Sequence, residues 1–141
     1  MVETIFGFLN GIGFTHPVHP AMTHIPMGMA MAAFVFRFAS FLPRMKFLAR
    51  TGYHCILLGI LGIFPTVFTG YLDWEYRFGG DLEFLIVLKM VLAVVLLALM
   101  AAIGILDTPE DAKFDKKTLF YLLTLLVAIG LGFSGGELQY G

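Results

Sequence analysis

The chain has 141 residues, 59% of them apolar and 13% charged, with 9 Lys+Arg against 10 Asp+Glu. A soluble domain is roughly 45–50% apolar and about 25% charged, so there is too little charge here to clothe a water-facing surface. A free-standing soluble enzyme is nearly excluded, and so is a nucleic-acid binder, because no basic stripe exists to neutralise phosphates.

Residues 1–20 form an N-terminal interfacial segment. VETIFGFLNGIGF lacks the basic start and the cleavage site of a signal peptide. It reads as a helix lying in the interface, with Ile5, Phe6, Leu9 and Phe14 on the lipid side. Residues 21–141 form the transmembrane domain, with apolar spans at about 21–42, 50–72, 82–106 and 118–138. At ~21–25 residues and 1.5 Å per residue, each crosses a ~30 Å hydrocarbon core. Lipid gives backbone groups no hydrogen-bond partners, so the spans must be helices. The expected fold is all-α, an integral-membrane four-helix bundle.

Within the spans, Pro65 removes a helical donor and interrupts the second. Pro26 falls early in the first, where proline is tolerated. Gly59, Gly62, Gly130 and Gly132 read as packing notches. The lone Cys55 sits in an apolar run as a small hydrophobe.

Orientation follows from the cations. Arg44, Lys46 and Arg50 join spans 1 and 2, and Lys113, Lys116 and Lys117 join spans 3 and 4. The opposite side carries Arg77. Both termini are therefore expected on the outer, periplasmic side of a bacterial inner membrane. Tyr71, Trp74, Tyr76 and Tyr140 mark the outer interface, and Tyr53 and Tyr121 the inner one.

On this topology the polar residues gather outside. His16 and His19 precede span 1, and His24 lies ~6 Å below its outer boundary. Asp73 ends span 2, Lys89 is ~10 Å inside span 3, and Glu137 closes span 4. The inner half is expected to be almost pure hydrocarbon, with His54 as a buried, hydrogen-bonded histidine. Lys89 is costly inside a span, and either snorkels outward or pairs with Glu137, Asp73 or an anionic group.

Imidazole is the commonest metal ligand, and HPVHPAMTHIP supplies three. His19 and His24 are the candidate haem ligands, with His16, Lys89, Asp73 and Glu137 as further cofactor-binding or proton partners. His24 and His54 stand ~18 Å apart in depth and cannot flank one iron. A bis-His haem would use two outer histidines, or one from each of two subunits. His24, Met27 and Met31 share a helix face, which admits copper as a further reading. Histidine, lysine and carboxylates near the interface also suit a quinone headgroup.

Three stretches together resemble one family. HPVHPAMTHIPMG (His19, Pro20, His24, Pro26, Gly28), TGYLDW (Thr69, Gly70, Asp73, Trp74) and GGELQY (Gly135, Gly136, Glu137, Leu138, Tyr140) are similar to motifs of domain of unknown function 2231. That group comprises small four-helix bacterial membrane proteins. Two departures stand out: the basic-His-Gly-Val-Gly tail of relatives is absent, and span 3 lacks the histidine many members carry. The resemblance implies redox association, since some members are fused to Rieske-type or cytochrome domains.

The expected function is a membrane electron-transfer subunit, non-catalytic by itself, in a larger redox complex. It would bind b-type haem, interact with quinone, or both, near the outer leaflet. Its partners would be lipid, other redox subunits such as a c-type cytochrome or Rieske-type protein, and further copies of itself. The alternatives are a cofactor-free structural subunit and, third, a copper- or metal-binding protein.

Overall fold

The computed structural model describes residues 1–111 and 113–141, and for Asp111 and Gln139 the backbone alone. It is helical throughout: α1 (Val2–Gly11), α2 (His19–Ala39), α3 (Leu48–Phe78), α4 (Phe84–Leu106), a 3-10 turn (Pro109–Asp111) and α5 (Lys116–Tyr140). No strand occurs among the described residues. Helices α3, α4 and α5 are each long and apolar enough to cross a membrane. Helix α2 matches the first expected span but is not among those three; it carries His19, Thr23, His24 and Arg37.

The long helices pack cyclically: α2 on α3, α3 on α4, α4 on α5, and α5 on α2. The closest pair is α2 and α3, and small residues make it so. A Cβ on Gly52 would fall 3.0 Å from the Ala33 carbonyl oxygen, and one on Gly62 would press into Ile25. Gly59 takes Met100 and Met29 in the same way, so Gly59 and Gly62 are the packing notches expected of them, whereas a Cβ on Gly130 would make only ordinary contact with Leu92. The core between the helices is built from Ala30, Ala33, Ile56, Ile63, Leu96, Met100 and Ile103.

Helix α3 runs unbroken through Pro65, where an interruption was expected. Hydroxyls bond the surrounding carbonyls: Thr66 Oγ1 donates to Gly62 at 2.7 Å and Thr69 Oγ1 to Pro65 at 2.9 Å. The carbonyl that Pro65 leaves without its helical donor is that of Leu61, so these bonds brace the neighbouring turns rather than replace the missing one. At 31 residues α3 is about 46 Å long, well over a ~30 Å core, so its last turns project beyond it.

Those turns receive α1. Phe6, expected to face lipid, is buried and stacked on Tyr76 with ring centroids 4.1 Å apart. Phe8 and Ile12 form the exposed apolar face instead. Arg77 ties down the following linker by donating to the Thr15 carbonyl at 3.0 Å.

The end expected to face inward overturns the expectation of pure hydrocarbon. Arg37 is 1% exposed and pairs with Asp107 at 3.1 Å. Its Nε donates to Thr118 Oγ1 at 3.2 Å, and its guanidinium lies over the Tyr121 ring. The Tyr121 hydroxyl, expected at the interface, is buried and donates to Asp107 at 2.8 Å. A lone charge in a span is costly, and here it is neutralised by a fully bonded partner from the α4–α5 connection. His54 is exposed rather than buried, because its position on α3 turns away from α2.

Candidate functional site

The end expected to face outward is built on one face of α3. Thr66, Thr69, Gly70 and Asp73 recur at i, i+3, i+4 and i+7, so they line a single stripe. The start of α2 lies against that stripe. The backbone N–H of His19 donates to Asp73 Oδ2 at 2.9 Å. No side chain of the α2 entry segment caps the helix, so a carboxylate from α3 does it, at the positive end of the dipole.

The His19 ring is held by the same stripe. Its Nδ1 lies 2.9 Å from the Thr66 carbonyl oxygen, which can only accept, so Nδ1 carries the proton. In the neutral ring Nε2 is then the free lone pair. The ring fits because Gly70 has no side chain: a Cβ there would sit 2.9 Å from both Nδ1 and Cε1. Thr66 Oγ1 also lies 2.9 Å from the Met22 carbonyl oxygen, so its one proton is shared between Met22 and Gly62 and ties the next turn of α2 to α3.

Asp73 is 6% exposed, and its second oxygen, Oδ1, is buried without a hydrogen-bond partner among the described residues. Such an oxygen is costly unless a cation or donor approaches it. Lys89 of α4 supplies the nearby charge, close enough to act on both Asp73 and His19. It turns inward rather than snorkelling, since its Nζ would lie 3.7 Å from a Cβ on Gly135 of α5. Among the described residues it forms no direct ion pair with Asp73 or Glu137.

Of the six expected site residues, the fold gathers His19, Asp73 and Lys89. It does not gather His16, His24 or Glu137, which are exposed. His24 follows His19 by five positions, about 140° around the helix, so packing His19 against α3 turns His24 outward. No set of three or more His, Cys, Asp or Glu among the described residues is grouped to hold a metal ion. His19 and His24 face different ways within one copy. Thr66 was missed, although its helical spacing from Thr69, Gly70 and Asp73 carries the signal.

Long apolar helices enclosing a polar cluster from α2, α3 and α4 define a helical membrane protein. The chain belongs to the family described as "Predicted membrane protein (DUF2231)", matched over residues 15–141. No curated protein and no solved structure is matched by the chain.

Proposed function

We propose that this chain is an electron-transfer subunit of a bacterial inner-membrane redox complex, presenting a proton-active site to a quinone headgroup near the outer leaflet. It is a four-helix transmembrane bundle with both termini outside. The cyclic packing of α2–α5 and the basic residues of the 40–47 and 107–115 connections support that arrangement.

The carrying observation is the buried Asp73 oxygen without a partner, beside Lys89 and a histidine of fixed tautomer. Carbonyl oxygens of a quinone need hydrogen-bond donors and, on reduction, protons. Lys89 Nζ is such a donor, and His19 Nε2 accepts or returns a proton while Nδ1 stays on Thr66. Asp73 balances the lysine charge. The electrons come from a neighbouring redox subunit.

A b-type haem is the second reading, favoured by the His19 Nδ1–carbonyl bond. Axial histidines are typically held in that way, with the other nitrogen on the metal. The second axial ligand would then come from another subunit.

Purified full-length protein decides between them. Saturable quinone binding that is lost in His19→Ala and Lys89→Met, and kept in His54→Ala, supports the quinone site. A b-type α-band in the reduced-minus-oxidised spectrum, lost in His19→Ala, supports haem instead. A featureless spectrum with no quinone binding sinks both and leaves the cofactor-free subunit. A C-terminal tag found in the cytoplasm overturns the orientation.

A further inference from the structure

Beside the polar cluster, on the α2–α5 seam, lies an open groove of about 430 Å³ lined by Met27, Met31, Ala128, Ile129, Gly132 and Phe133. No lining residue is charged, and the volume falls within the ~300–1,000 Å³ of small-molecule sites. Its outer end leads toward Lys89. Gly135, over which Lys89 Nζ lies, is one turn above Gly132, about 4.5 Å nearer the outer end. Gly132, Gly135 and Gly136 span only about 100° of the α5 circumference. This strip carries no side chains between groove and lysine, and a Cβ on Gly136 would meet nothing within 4 Å.

We propose that the groove seats the isoprenoid tail of a membrane quinone, whose ring crosses the glycine strip to Lys89. This rests on the redox-site reading above and adds where the ligand enters and lies. The polar end of the route and its apolar body match a ligand with a polar ring and a hydrocarbon tail. A phospholipid acyl chain would fill the body but bring a phosphate to the buried carboxylate of Asp73.

The test uses full-length protein in lipid nanodiscs and reads quenching of Trp74, the one tryptophan, which adjoins Asp73. A long-tailed isoprenoid quinone and its tail-free ring are titrated into wild type and Gly136→Leu. Partitioning into lipid is the same for both proteins, so their ratio isolates the groove. Gly136→Leu should weaken the long-tailed quinone by roughly tenfold or more, the scale of one surplus side chain in occupied space. Gly132→Ala, which only has to displace the flexible end of Met27, should weaken it to a smaller degree and serves if Gly136→Leu unfolds. Saturable binding of both ligands in wild type, unchanged in both variants, overturns the groove and leaves the redox site standing. No saturable quenching by either ligand overturns both.

Discussion

Asp73 caps a helix to which it does not belong: its Oδ2 accepts the backbone N–H of His19, 54 positions earlier, at 2.9 Å. One carboxylate thereby fixes where α2 starts, how it meets α3, and which histidine lies at the outer cluster. Losing a capping acceptor costs about 0.5–2 kcal/mol. Asp73→Ala should lower stability by that amount in detergent unfolding. Asp73→Asn keeps an acceptor and should lose less than half as much. Equal losses in the two variants would show that the cap does not stabilise α2.

Gly70 holds the His19 ring in place by what it lacks. Gly70→Ala puts a methyl 2.9 Å from Nδ1 and Cε1, against a ring already bound to the Thr66 carbonyl. Overpacking of this kind costs about 1–3 kcal/mol. The expected outcome is a destabilised protein whose His19 has lost its single tautomer, read from imidazole ¹⁵N shifts. A sharp, unchanged Nδ1–H signal would contradict the packing described for this ring.

Much of this arrangement is legible in the sequence, and the rest fails for physical reasons. Apolar runs locate α2, α4, α5 and the start of α3 to within three residues, because hydrocarbon demands length and apolarity of each span, while α3 runs six residues past its expected end. TGYLDW and the first histidines mark the outer site, yet the choice of His19 over His24 depends on helix phase. Phase is set only by the small-residue stripe of α3 pressing on α2. Arg37 escapes because loop counting scores cations between spans, whereas this one is buried within a helix and paired with Asp107. Pro65 misleads because a proline removes a single backbone donor, and a 31-residue helix packed along α2 continues through that loss.

The inner knot makes a sharper claim about stability. Arg37 and Asp107 are both 1% exposed, so removing one partner strands the other in a medium that does not solvate it. Arg37→Met should cost about 3–5 kcal/mol, and the double variant Arg37→Met, Asp107→Leu should recover most of that loss. Thermal unfolding of the single and double variants gives the coupling. A double variant as unstable as the sum of both singles would mean that the charges do not act as a unit.

The exposed pair Arg50–Glu110 should behave oppositely. The Arg50 hydrogen bond holds the Glu110 carboxyl below its ordinary value. A lowered carboxylate contributes stability above its unfolded value and loses it as pH falls through the folded one. Both side chains are more than half exposed, so water and salt screen the pair. Glu110→Gln should therefore leave the unfolding midpoint within the scatter of repeats at neutral pH, and any difference should vanish in acid and in high salt. A clear neutral-pH loss that survives salt would show the pair to be shielded.

The stacked rings of Phe6 and Tyr76 decide whether α1 is a free interfacial helix or part of the body. Phe6 is the buried residue of α1, and the remaining contacts of that helix are confined to the end of α3. Phe6→Ala removes the ring that fixes it, so α1 should open locally while the long helices stay folded. Amide exchange over residues 2–11 should then rise toward unprotected rates, with exchange in α3–α5 unchanged. Tyr76→Phe keeps the stacking surface and should leave α1 protected. If Phe6→Ala left residues 2–11 protected, the lipid interface rather than the Tyr76 ring would be holding the helix, as the sequence pattern alone suggests.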